Sequence, residues 1–190
     1  MNKILIIDNY DSFTYNLVQM VEEHFDGTFD VKRNDKISLE EIDGYDGIIL
    51  SPGPGIPDEA GLLKKIIETY GPSKKIFGVC LGLQAIGEVY GGRLKNLDKV
   101  YHGVKTGMHV TGKEDVIFRH IPDKFEAGRY HSWIVDRETL PEVLEITCVD
   151  DDNEIMAVRH KKYEVRGVQF HPESILTDFG EQMIINFLNS

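Results

Sequence analysis

Lys75-Ile76-Phe77-Gly78-Val79-Cys80-Leu81-Gly82-Leu83-Gln84-Ala85-Ile86-Gly87-Glu88-Val89-Tyr90 reads as a strand, a sharp turn and a helix in succession. Residues 75–79 form a short apolar run, the pattern of a strand covered on both faces. Residues 81–90 read as a helix closed by Gly91-Gly92. Cys80 stands at the junction, with Gly78 and Gly82 two residues away on either side.

Working outward, Lys3–Asp8 is a second buried strand, and Ser12 is placed to cap a helix whose Phe13, Leu17 and Val21 share one face. Strands are expected at Thr28–Arg33 and 46–50, and a helix over 60–70. Between them, Ser51-Pro52-Gly53-Pro54-Gly55-Ile56-Pro57 cannot continue either element, because its three prolines lack N–H donors. Strand alternating with helix implies a doubly wound α/β fold, flavodoxin-like, with a mostly parallel central sheet and right-handed crossovers. After Arg93 the texture changes to short strand-like pieces at Val116–Phe118, 134–135, 143–149, 154–159 and 165–170. A last helix is expected over 178–188, opened by a capping box of Asp178 and Glu181.

The chain has 190 residues, enough for one full core and too few for two ordinary domains, so a single domain over 1–190 is expected. Its 32 acidic against 21 basic residues give a formal charge of −11, which argues against nucleic acid as a partner. No apolar run approaches a membrane span, and the opening Met1-Asn2-Lys3 shows no signal-peptide pattern. Cys80 and Cys148 supply neither a disulfide framework nor a zinc knuckle. A cytoplasmic protein is expected.

Gly78-Val79-Cys80-Leu81-Gly82 has the layout of a nucleophile elbow with cysteine in place of serine. The start of the following helix would point free N–H groups at the sulfur and favour its thiolate. A base is then needed. Of the seven histidines, most lie among charged or loop residues and read as solvated. His171 differs: it emerges from the apolar stretch 165–170, with Glu173 two residues on to orient the imidazole. Oxyanion donors are available in Leu81 N–H and in the proline–glycine loop, which leaves its strand at the same sheet edge. Each feature has a plainer reading, as a buried cysteine, a turn with an ion pair and a stiff loop. A zinc site lacks the usual paired spacing, and a flavin site lacks a hydroxyl-rich phosphate loop after the first strand.

Taken together, the sequence resembles the class I, triad-type glutamine amidotransferases, and within them the glutaminase components of anthranilate synthase and aminodeoxychorismate synthase. The resemblance spans nearly the whole chain. It rests on the opening from Ile7 through Asn16, on Ser51-Pro52-Gly53-Pro54-Gly55, on the elbow and Gln84, on Gly128-Arg129-Tyr130-His131-Ser132, and on the run from Gly167 through Ser174. Asn9-Tyr10-Asp11-Ser12-Phe13-Thr14 is the pattern of the chorismate-using branch and separates it from the amidotransferase part of GMP synthetase.

The resemblance implies hydrolysis of glutamine to glutamate and ammonia. Cys80 would be the nucleophile, His171 the base and then acid, and Glu173 the orienting carboxylate. Gly53, Gly55, Gln84, Ser132 and Trp133 would hold glutamine, and the N–H groups of Gly53 and Leu81 would form the oxyanion hole. No metal or cofactor is expected in this chain, Mg2+ being expected only in a larger chorismate-binding synthase subunit that takes the ammonia. The face around Cys80 and Tyr10–Tyr15 would be where that partner docks, unless those rings pack inward. The alternatives are a free-standing glutamyl hydrolase, an amidotransferase serving another synthetase, and a regulatory subunit without turnover. Leu83, where many relatives carry histidine, and Trp133, where leucine is usual, are departures that leave the triad intact.

Overall fold

The computed structural model describes residues 1–190. In chain order its elements are β1 (Lys3–Asp8), α1 (Thr14–His24), β2 (Thr28–Arg33), β3 (Gly47–Leu50), α2 (Leu63–Tyr70), β4 (Lys75–Val79), α3 (Leu81–Val89), β5 (Leu94–Asn96), β6 (Val104–Val110), β7 (Lys124–Arg129), β8 (Trp133–Val135), β9 (Leu144–Asp150), β10 (Ile155–His160), β11 (Val165–Val168) and α4 (Gly180–Leu188). None of the helices is long and apolar enough to cross a membrane.

One nine-stranded sheet runs β2-β1-β3-β4-β11-β10-β9-β6-β7, and β5 pairs with β8 in a separate ribbon. The pairings from β2 to β11 are parallel. Those from β11 to β7 are antiparallel, so the second half of the chain extends the doubly wound half rather than forming its own layer. Side chains alternate across this sheet because the strand period is two. Ile4, Ile6, Phe77 and Val79 pack on the side of Leu17 and Val21 from α1 and Met183, Ile184 and Phe187 from α4. Leu5, Ile7, Ile48 and Ile76 pack on the other side, against Ile66 and Ile67 from α2 and Leu83 and Ile86 from α3. Each fully buried side chain of this kind contributes about 1.5–3 kcal/mol relative to leaving it in water.

Several local expectations are corrected. Val116–Phe118 is a 3-10 turn rather than a strand, because Asp115 accepts a hydrogen bond from Ile117 N (3.3 Å) and curls the chain. The second helix begins at Leu63, preceded by a 3-10 turn over Pro57–Glu59. Ser12 does not cap α1: the preceding Asp11 accepts from Phe13 N (2.8 Å) instead. Nor does Asp178 cap α4. Its carboxylate is taken by Lys105 (3.0 Å) and Glu126 N (3.2 Å), and Glu181 pairs with His24 (2.7 Å). β5, β6 and β7 carry no sequence signal, since their lysines, threonine, glycines and histidine give no apolar run.

The parallel strands all deliver their C-terminal ends to one edge. There Asn9, after β1, donates its backbone N–H to Ser51 Oγ (2.9 Å) and its side-chain amide to Ser51 O (2.8 Å), tying the chain beyond β1 to the loop beyond β3. Close packing at this edge requires two glycines. A Cβ on Gly82 would stand 2.8 Å from Leu50 O, and one on Gly78 would stand 2.5 Å from the Gly82 carbonyl carbon.

Candidate active site

Cys80 follows β4 directly and takes φ 51°, ψ −97°. A non-glycine residue at positive φ carries strain of about 1–3 kcal/mol, which only a tightly determined surrounding sustains. That surrounding is visible: Cys80 N donates to Val168 O on β11 (2.8 Å), and Cys80 O accepts from Gln84 N (3.1 Å), the first helical bond of α3. Because this is the first such bond, Leu81 N–H has no backbone acceptor, and it lies at the positive end of the helix dipole. The expected elbow is present.

The loop after β3 reaches the same place. A Cβ on Gly53 would come within 2.6 Å of both Asn9 Cβ and Leu81 Cδ2, so Gly53 lies against the residue that follows the cysteine. Gly55 takes φ 72°, a left-handed conformation that suits glycine. Gly53, Pro54 and Gly55 line one side of a cavity of about 200 Å³, with Cys80 and Gln84. Its other side is formed by Tyr101, His102, Tyr130, His131, Ser132 and Trp133. All five residues expected to hold glutamine therefore border one hollow at the cysteine.

His171 enters from the neighbouring strand. It is 2% exposed, and its Nδ1 is 2.7 Å from Glu173 Oε1, so the ring proton on that nitrogen is donated to the carboxylate. Its Nε2 is buried without a hydrogen-bond partner. The imidazole is flanked by the rings of Phe13 (centroids 5.2 Å apart) and Tyr130 (4.8 Å). Burial disfavours the charged ring, but the Cys80 sulfur and the Glu173 carboxylate outweigh it and raise the His171 pKa to about 10. Cys148, by contrast, lies in the apolar core, where burial pushes its thiol well up.

Sequence reasoning misses several members of this site. Gln169 is fully buried and donates its amide to Cys80 Sγ (3.4 Å). Its position two residues before His171 is the available signal, since alternate residues of an extended chain share a face. His131 reads as solvated in the sequence but is buried, with Nδ1 on Trp133 O (3.0 Å) and Nε2 facing Arg129 Nε (3.1 Å). Desolvation, followed by the Arg129 charge, lowers its pKa to about 3. His160 is buried as well, stacked on Tyr163. The aromatic opening segment divides: Phe13 turns inward onto His171, while Tyr10 and Tyr15 are exposed.

The sequence model of the glutamine amidotransferase class-I family matches residues 5–190. Anthranilate synthase component 2 of Cyanophora paradoxa is 47% identical, over 98% of this chain and 98% of its own. Aminodeoxychorismate/anthranilate synthase component 2 of Bacillus subtilis strain 168 is 46% identical, over 98% and 96%. Among solved structures, a putative GMP synthase protein from Thermoplasma acidophilum matches with a TM-score of 0.87 at 27% identity, over 100% of this chain and 93% of that one. With the family match covering almost every residue and the strand–turn–helix corner at Cys80 standing at the expected rim, the chain belongs to the class I glutamine amidotransferases.

Proposed function

We propose that this chain is the glutaminase component of a two-component, chorismate-using synthase, that Cys80, His171 and Glu173 are its catalytic triad, and that glutamine occupies the cavity beside them. The observation that carries the reading is the setting of His171: one ring nitrogen is committed to Glu173, the other is buried without a hydrogen-bond partner, and the pairing of β4 with β11 brings Cys80 to the same sheet edge.

The reaction then balances with water as the second reactant. Sγ attacks the side-chain amide carbon of glutamine, and the oxygen that becomes negative is held by the N–H groups of Gly53 and Leu81. His171 gives its proton to the departing nitrogen, which leaves as ammonia, and a glutamyl thioester remains on Cys80. Water adds to the thioester while the now neutral His171 takes its proton. The carbon–sulfur bond breaks, glutamate leaves, and the imidazolium is restored. Glu173 keeps the proton on Nδ1 throughout, so that Nε2 is the atom that exchanges protons. Gly55, Gln84, Ser132 and Trp133 surround the glutamine. None of these steps calls on a metal or an organic cofactor; Mg2+ belongs, on this reading, to the partner.

Ammonia released to neutral water becomes ammonium and loses its nucleophilicity, which is the chemical reason for a partner that receives it directly. The relatives' names point to anthranilate and aminodeoxychorismate, and one relative is named for both. The exposed Tyr15, together with Tyr10, is the side we assign to that partner. Two free cysteines in a glutaminase of this type suit a reducing, cytoplasmic setting. The test is glutamine hydrolysis by the purified chain with and without a chorismate-binding synthase subunit. Hydrolysis that rises with partner and chorismate supports the reading, and hydrolysis indifferent to both counts against the coupling.

A further inference from the structure

We propose that Gln169 is a positioning residue for the Cys80 sulfur, its amide aimed by a one-directional hydrogen-bond chain that starts at the Trp133 carbonyl, which His131 and Arg129 hold in place. The inference rests on the triad assignment above and extends it.

The support of that carbonyl begins at a buried ion pair, Arg129 Nη1 to Asp150 Oδ2 at 2.6 Å, with the guanidinium 3.6 Å over the ring of Tyr101. A guanidinium has donors only, so His131 Nε2, 3.1 Å from Arg129 Nε, must be the acceptor. The imidazole proton is therefore on Nδ1, which donates to Trp133 O at 3.0 Å. That carbonyl is acceptor only and also receives Gln84 Nε2 (2.9 Å), which fixes the direction of the Gln84 amide. The same Nε2 donates to Gln169 Oε1 (3.3 Å). Gln169 thus turns its own Nε2 toward Cys80 Sγ, 3.4 Å away.

Every link in this series can run only one way. The polarity is set at the Trp133 carbonyl, which can only accept and which His131 holds in place, and it arrives at the sulfur as an N–H donor. Gln84 and Gln169 are both buried, so water does not compete for their amides. The chain also leaves Gln84 Oε1 as the atom that residue offers the cavity. An N–H aimed at sulfur stabilises negative charge there, both before attack and when the thioester breaks. Its effect therefore falls on the chemical steps rather than on glutamine binding.

The experiment compares wild type with Q169M, H131N and H131L. It reads kcat and KM for glutamine, together with the second-order rate constant for alkylation of Cys80 by iodoacetamide in the folded fraction. Methionine keeps the length of Gln169 without its amide. Asparagine at 131 keeps an N–H where Nδ1 stands, and leucine does not. We expect Q169M to lower kcat and the alkylation rate by about 10- to 100-fold, the scale of one hydrogen bond to a charged group, with KM within about threefold. H131L, which takes the imidazole N–H from the Trp133 carbonyl, should fall toward Q169M in both kcat and alkylation rate, and H131N should fall less than H131L, although position 131 does not touch the sulfur. A role in folding alone would lower the folded fraction and leave the alkylation constant of the folded protein unchanged. That result overturns the proposal, as does H131L matching wild type should Q169M not fold. Alkylation is read without turnover, so a wild type that fails to hydrolyse glutamine would defeat the proposed function while the alkylation series still decides the role of Gln169.

Discussion

Val79 and Val168 form the last register pair between the parallel strands β4 and β11, so that Cys80 and His171 leave the sheet one and three residues later at the same edge. Sequence positions 91 residues apart (171 − 80) are brought together by one backbone pairing, sealed by the bond from Cys80 N to Val168 O. The placement of Cys80 and His171 is therefore a property of the sheet and not of flexible loops.

The strained backbone at Cys80 predicts an inverted stability order. Glycine normally destabilises relative to alanine, yet at φ 51° it is the residue without a Cβ penalty. We expect C80G to be more stable than C80A by about 1 kcal/mol in urea unfolding, with both inactive. Alanine the more stable of the two would show that the turn is not strained.

The His171 pKa sets a pH window. It is raised in the folded protein from 6.5 to about 10. Its contribution to stability is therefore whole below about pH 6.5 and disappears as pH rises through about 10. Activity should fall over the same alkaline limb, where the proton needed by departing ammonia is lost. E173Q keeps a hydrogen-bond acceptor but removes the negative charge, and we expect its alkaline limb to move down by about one pH unit or more. A pH–rate profile of both proteins checks this, and coincident limbs would contradict it.

Packing at the elbow predicts a sharp intolerance. G82A places a Cβ 2.8 Å from the Leu50 carbonyl oxygen, which belongs to a buried strand and cannot swing away. We expect a loss of about 1–3 kcal/mol in urea unfolding, together with reduced glutamine hydrolysis as the elbow shifts. A Gly91 to alanine change, where no atom lies within 4 Å of the new Cβ, is the comparison: its cost comes from φ 108° alone.

Asp150 supports the cavity wall from behind. D150N leaves the Arg129 charge buried and without its counter-ion, and we expect it to cost about 3–5 kcal/mol. The Asn side chain also weakens the turn, because Asp150 Oδ1 receives the N–H groups of Asp152 (3.1 Å) and Glu154 (2.8 Å). A thermal or urea midpoint close to wild type would show that the Tyr101 ring suffices for the guanidinium.

The doubly wound half is legible because its strands are apolar runs and its turns carry glycine or proline at positions of evident constraint, as at Gly78, Gly82 and Gly53. The proposed triad is legible for a related reason: a cysteine between glycines and a histidine at a strand end are local patterns. What escapes is non-local. β6 and β7 lie at the far edge of the sheet, where half-exposed positions admit Lys105, Thr106 and Glu126 and erase the apolar signal. His131 looks polar in sequence and is buried because Tyr101, from a separate segment, stacks on its ring and the nearby Arg129, held by Asp150, covers its Nε2. Gln169 carries its signal, alternation with His171, but only the register of β11 against β4 shows that the sulfur lies on that face.

The most direct measurement is peptide mapping after reaction with an electrophilic glutamine analogue. We expect one label, on the peptide containing Cys80, formed in step with loss of glutamine hydrolysis and slowed by glutamine itself. Label on another residue, or hydrolysis that persists once Cys80 is fully modified, would contradict the assignment of this sulfur as the nucleophile.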